Sequence, residues 1–167
     1  MNLGFKNRKG NVVLDSMMVL IVLVVFGIIS VLAYITMNDL TTDIVADPDI
    51  SNATKSNLTS LNERMPATLD GAFALAFGLL WILVIVSSFL VDAHPAFFVI
   101  SIVLLLVLLF SAGLISNAYG EFETDPEFSS YASEFPMTSY IINNLLVVIL
   151  VIGGSVGLVL FGKNKLT

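Results

Sequence analysis

Residues 72–117, AFALAFGLLWILVIVSSFLVDAHPAFFVISIVLLLVLLFSAGLISN, form two long apolar runs separated only by Asp92-Ala93-His94. A helix needs about 20 apolar residues to cross a hydrocarbon core of about 30 Å, and each run has that length. So short a turn predicts two antiparallel membrane helices, 72–91 and 95–117, joined as a tight helical hairpin. Pro95 suits the first turn of the second helix, which Asp92 or His94 can cap.

Two further runs of the same kind, 17–37 and 140–161, flank this hairpin. The chain is 57% hydrophobic and 12% charged, whereas a soluble domain is about 25% charged. The sequence therefore predicts an all-α integral membrane protein. We expect residues 1–167 to form a single membrane domain with four transmembrane helices.

The basic residues predict how these helices are oriented. Five of the seven Lys and Arg residues lie near the two ends of the chain. They are Lys6, Arg8, Lys9, Lys163 and Lys165. Four spans place both termini on one side of the membrane, and the positive-inside rule makes that side the cytoplasmic type.

The two long segments between spans, 38–71 and 118–138, are then external-type loops, and both are acidic. In the first, DPDIS (47–51) is typical of a turn, and an approximate helical stripe of apolar residues follows it up to Pro66. That stripe fits either a short helix on the membrane interface or a loosely ordered loop. Asn52 and Asn57 begin two glycosylation sequons in the same segment.

The second segment contains EFETDPEF (121–128), with the acids Glu121, Glu123, Asp125 and Glu127. Such a run can attract a divalent cation, but it lacks the ligand spacing of a calcium loop. We favour a solvated acidic face that serves as a docking loop for partner proteins.

Catalytic chemistry finds little support in the sequence. The chain has no cysteine and one histidine, so a nucleophile–base–acid set cannot be assembled from Cys and His. His94 with Asp92 could form half of a metal site or a proton-transfer pair, but a helix cap is the simpler interpretation. Asp15 is expected at the membrane edge near Lys9, with a buried, paired carboxylate as the alternative. We expect no enzyme activity, cofactor, metal or direct nucleic-acid binding.

Helix packing is indicated by small residues. Gly153, Gly154, Ser155 and Gly157 in the fourth span, and Ala74 with Gly78 in the second, allow backbones to approach closely. Asn143 and Asn144 enter the fourth span and need hydrogen-bond partners. The first span has few small residues, which suits contact with lipid or a partner protein.

The N-terminal stretch RKGNVVLDSMMVLIVLVVFGII (8–29) resembles the start of a type IV pilin precursor, which is cleaved after the glycine. Asp15 stands where that family carries a glutamate, and three further spans follow where a pilin has a soluble head. We therefore expect an ordinary membrane anchor, with processing after Gly10 as the alternative.

The blocks KGNVVLDSMMVLIVLVVFGII and DAHPAFFVISIVLLLVLLFSAGLISNAYGEF resemble small multi-span membrane proteins of viruses with an internal lipid membrane. That resemblance implies a structural protein of the virion membrane, which contacts capsid-type or other membrane proteins in a hetero-assembly or homo-oligomer. Two alternatives are an accessory subunit of a larger cellular membrane complex and a holin-like pore former. The location is then a virion internal membrane or a cell membrane.

Overall fold

The computed structural model describes residues 12–90 and 95–166, and this part of the chain is 90% helical and has no strand. It contains six helices in chain order. They are α1 (Val12–Ala46), α2 (Asn52–Leu90), α3 (Pro95–Thr124), α4 (Ser129–Ala132), α5 (Pro136–Asn143) and α6 (Leu145–Leu166). The all-helical fold class is confirmed.

Three helices, α1, α2 and α3, are long and apolar enough to cross a membrane, and a fourth crossing is formed if α5 and α6 count as one bent span. The bend between α5 and α6 is 74°. It places the first residues of the predicted fourth span, Tyr140 to Asn143, in α5 rather than in α6. The turn proposed at 92–94 lies outside the described residues.

The helices pack in an order that differs from their order in the chain. Helix α1 packs most extensively on α2, while α6 packs against both α2 and α3. The short helix α4 contacts α1 and α3, and α5 contacts α2 and α3. Helices α4 and α5 therefore tie together the end of the bundle at which α1 ends and α2 begins.

The α1–α2 interface consists of one narrow seam on each helix. Leu20, Val24, Gly27 and Val31 are buried on α1 at spacings of three and four residues. Phe73, Phe77, Leu80 and Val84 are buried on α2 at the same spacings. This periodicity is typical of helices that pack side by side along one face. The first span, which the sequence indicates is suited to contact with lipid or a partner protein, thus also packs on α2 along this seam.

Outside these seams, large apolar side chains remain exposed on all three long helices. Examples are Val22 on α1, Leu83 on α2 and Leu106 on α3, which are 65%, 63% and 61% exposed. Helices that are apolar on every face require apolar surroundings. The exposed faces of these helices therefore contact lipid.

Both segments that the sequence presents as loops are largely helical. Helix α1 continues to Ala46, and α2 begins at Asn52 and passes through Pro66 without ending. The expected turn at 47–51 is confirmed, and Asp47 Oδ1 accepts the Asp49 N–H there at 2.9 Å. Ser51 then accepts the Thr54 N–H at 3.3 Å, as an N-cap does. Hydropathy could not reveal these extensions because they are polar.

Candidate functional site

One end of the bundle contains every acidic residue of the chain except Asp15 and Asp92. We call residues 38–70 and 118–144 the acidic end. With 35 residues in α1 and 39 in α2, these helices are about 52 and 58 Å long. Both exceed the roughly 30 Å hydrocarbon core, so the polar hairpin at 38–66 extends beyond it.

The centre of the acidic end is Asp70, which is 5% exposed. Its carboxylate accepts the backbone N–H of Thr138 at 2.7 Å and that of Met137 at 3.0 Å. These are the first free N–H groups of α5, since Pro136 has none. The N-cap residue, Phe135, makes no side-chain hydrogen bond to the helix. Helix α2 therefore supplies the cap that α5 lacks, where the helix dipole favours a negative charge.

Buried hydroxyl groups extend this polar centre towards α3 and α4. The Tyr119 and Ser139 hydroxyls lie 3.0 Å apart, and Ser139 donates to the Ala132 carbonyl at 3.3 Å. Both side chains are less than a tenth exposed. These bonds satisfy polar groups that would otherwise be costly to bury, and they join α3, α4 and α5.

The bend between α5 and α6 has hydrogen bonds of its own. Ser116 on α3 donates its hydroxyl to the backbone carbonyl of Asn143 at 2.6 Å. The Asn143 side-chain amide donates to Glu123 Oε2, and that of Asn144 donates to the Tyr140 carbonyl at 2.8 Å. The two asparagines thus have the partners that the sequence required, and they lie at the bend.

Replacing Ser116 with alanine is expected to lower the free energy of unfolding by about 1 kcal/mol, because the Asn143 carbonyl loses its donor. Ser111→Ala is the matched control on the same helix, since the Ser111 hydroxyl bonds only its own helix, at Val107. The free energy of unfolding of both variants is measured in mixed micelles, with the fluorescence of Trp81 as the signal. Equal losses in the two variants would show that the bond at the bend contributes nothing.

A second polar contact joins α1, α2 and α4. Asn62 donates to Asn38 Oδ1 at 2.8 Å, and Asn38 donates to the Tyr131 hydroxyl at 3.4 Å. The Tyr131 ring also meets Tyr34 edge-on, with ring centroids 6.0 Å apart. This contact holds α4 against the hairpin of α1 and α2 where the hairpin leaves the apolar core.

Three of the four acids predicted to form the docking loop are exposed: Glu121, Asp125 and Glu127. Asp125 Oδ1 also accepts the Glu127 N–H at 2.8 Å, which orders the turn after α3. Glu123 is half-buried, and its carboxylate accepts a hydrogen bond from the side-chain amide of Asn143. The accessible part of this segment is therefore smaller than the sequence run indicates.

The small residues predicted to pack helices lie in different surroundings. A Cβ atom at Gly153 would lie 3.0 Å from Leu105 on α3, so this glycine is at the α3–α6 interface. Within the described part of the chain, nothing lies within 4 Å of a Cβ atom at Gly78, Gly154 or Gly157. Ala74 is half-buried, and so is Ser155, which bonds the Val151 carbonyl of its own helix.

The membrane-edge residues named from the sequence cannot be placed in the site. Asp92 and His94 lie outside the described residues, as does the side chain of Asp15. The processing site at Gly10 also lies outside them.

Sequence reasoning missed the most buried acid of the acidic end. Asp70 counts there only as one of several loop acids, although it stands two residues before a span. Its partners, Met137 and Thr138, lie more than sixty residues further along the chain. The position of Asp70 at a span edge was a signal of partial burial, but nothing local identified α5 as its partner.

In the part of the chain that the structure describes, the polar contacts of the acidic end join helices to one another. Both oxygens of Asp70 already accept N–H groups. No group of three or more His, Asp or Glu side chains that could hold a metal ion was found among the described residues. Comparisons of the chain with protein-family models, curated proteins and solved structures found no match.

Proposed function

We propose that this protein is a non-enzymatic structural membrane protein, a component of a virion membrane that docks capsid-type or other membrane proteins through its acidic end. Both termini then lie on the cytoplasmic-type side, in accord with the basic residues near the ends of the chain. The observation that carries the proposal is the separation of the molecule into an apolar bundle and an acidic end outside it.

The exposed charges of the acidic end support this proposal. Glu121, Asp125, Glu127 and Glu134 on the second segment are all exposed, and that segment contains no basic residue. A surface whose charges all have one sign attracts a partner surface of the opposite charge and helps to fix the orientation of that partner. The buried contacts of Asp70 and Tyr119 join the helices that carry this surface. The partner is therefore expected to present a basic surface.

Gradient fractionation of native material, with mass spectrometry of whatever comigrates with the chain, tests this function. Comigration with capsid protein and nucleic acid is the expected result. Comigration with an enzyme complex would instead make the chain an accessory subunit. A chain that runs alone and permeabilises vesicles by itself would be a pore former.

A charge-reversed variant, Glu121→Lys with Glu127→Lys, is expected to lower the amount of comigrating partner per chain about tenfold, because like charges then face each other. The comparison variant is Asp39→Lys with Asp43→Lys, which makes the same change of charge at exposed positions on α1, in the other segment of the acidic end, so a smaller loss there would assign the docking contact to 121–127. Unchanged comigration of the first variant would rule out the segment 121–127 as the docking surface.

A further inference from the structure

Helix α5 exposes two large apolar side chains, although two of its hydroxyl-bearing side chains are buried together with Ile142. Thr138 and Ser139 are 0% and 6% exposed, whereas Met137 and Tyr140 are 53% and 69% exposed. A short helix on a protein surface in water would instead expose Thr138 and Ser139 and bury Met137 and Tyr140. The exposed face of α5 is therefore more stable in apolar surroundings or at a membrane–water interface than in water.

The length of α6 indicates the depth at which α5 lies. Helix α6 has 22 residues and is about 33 Å long, close to the roughly 30 Å of a hydrocarbon core. Its C-terminal turn carries Lys163 and Lys165 in the sequence. With these lysines at one boundary of the core, the first residues of α6 reach the other. The bend at Asn144 then lies at that second boundary.

Two observations indicate what contacts the exposed face of α5: the direction of the helix and the apolar surface next to it. Because α5 is bent by 74° from α6, it runs along the boundary when α6 crosses the membrane. Its exposed face continues into the exposed apolar face of α6, where Val147 and Leu150 are 56% and 48% exposed. That face of α6 contacts lipid, and the exposed face of α5 carries no charge that would recognise an oppositely charged protein.

We propose that α5 is an interfacial helix, with Met137 and Tyr140 lying in the boundary between lipid headgroups and acyl chains. Tyrosine is enriched at this level because its ring is apolar and its hydroxyl is polar. The bonds from Asp70 to the start of α5 then fix the depth of the bundle, so that the acidic end stands in water. This inference needs only that the helices cross a bilayer, and it is independent of the proposed docking function.

Spin labelling of the full chain in phosphatidylcholine vesicles tests the proposal. The chain has no cysteine, so Tyr140→Cys gives a single labelling site on α5. The collision rates of the nitroxide with oxygen, which partitions into lipid, and with a water-soluble nickel complex report its depth. Leu150→Cys is the control for the hydrocarbon core, and Glu127→Cys is the control for water.

The label at position 140 is expected to lie about 5–10 Å into the interfacial region, with an oxygen-to-nickel ratio between those of the two controls. A ratio equal to that of Glu127→Cys would place α5 in water and overturn the proposal. A ratio equal to that of Leu150→Cys, or low rates with both reagents, would overturn it too, since α5 would then lie in the core or against protein. Met137→Cys repeats the test on the same face if Tyr140→Cys does not fold.

Discussion

Replacing Asp70 with alanine is expected to lower the free energy of unfolding by about 2–3 kcal/mol, since it removes a charged cap and leaves two N–H groups without an acceptor. These groups belong to Met137 and Thr138, and Thr138 is 0% exposed. Water cannot replace the carboxylate there without opening the contact between α5 and α2. The variant should therefore also release α5 from α2.

Two measurements follow this effect. Unfolding in mixed micelles, with Trp81 fluorescence as the signal, gives the loss of stability. The release of α5 is measured by the exchange rate of the backbone amide hydrogens of residues 136–143. In the variant, this rate should increase more in α5 than in α6. The conservative variant Asp70→Asn retains one acceptor oxygen and should lose about half as much stability.

Asp43→Ala is the matched control, because Asp43 is an exposed acid of the same acidic end. It should change stability by less than about 0.5 kcal/mol. If Asp70→Ala and Asp43→Ala lost equal stability, Asp70 would not act as the cap of α5. Unchanged exchange in α5 would lead to the same conclusion.

Replacing Gly27 with valine is expected to separate α1 from α2 and to lower the free energy of unfolding by about 2–3 kcal/mol through overpacking. A Cβ atom at Gly27 would lie 2.8 Å from Phe73 Cε2 and 3.1 Å from Thr138 Cγ2. Phe73 and Thr138 are both 0% exposed, so neither side chain has free space to move into. The absence of a side chain at Gly27 therefore lets α1, α2 and α5 meet.

Gly154→Val controls for the general effect of valine in an apolar helix. Nothing in the described part of the chain lies within 4 Å of a Cβ atom at Gly154. This variant should be close to neutral in the same unfolding assay. Equal losses at positions 27 and 154 would mean that valine acts through helix propensity alone and that the close approach at Gly27 has no energetic weight.

Thr138 connects these two predictions, because it contacts the Gly27 position and also donates its N–H to Asp70. Once Asp70→Ala has released α5, the valine at position 27 no longer clashes with Thr138. The double variant should therefore lose less stability than the sum of the two single variants.

Much of the acidic end could be read from the sequence only in outline. The acids at 121–127 are evident as a charged run, and three of them are exposed, but the contact of Glu123 with Asn143 was not foreseen. The sequence indicates that the side chains of Asn143 and Asn144 need partners, but it does not indicate that Ser116 bonds the backbone carbonyl of Asn143. Both partners of Asn143 lie on α3, where the sequence contains no periodic signal for them, whereas the Asn144 side chain bonds Tyr140 only four residues before it.

The sequence by itself determined that the chain is all-helical and that it carries about four membrane-length apolar runs. It also determined that most basic residues lie near the two ends of the chain and most acidic residues in the segments between the runs. A bilayer core leaves little choice here, because a spanning segment must satisfy its own backbone hydrogen bonds and present apolar side chains over a set length. Only the tertiary structure decided that α2 lies between α1 and α6, that α5 bends away from α6, and that Asp70 caps α5. These features depend on contacts between residues far apart in the chain, and such contacts form only where close packing brings the helices together.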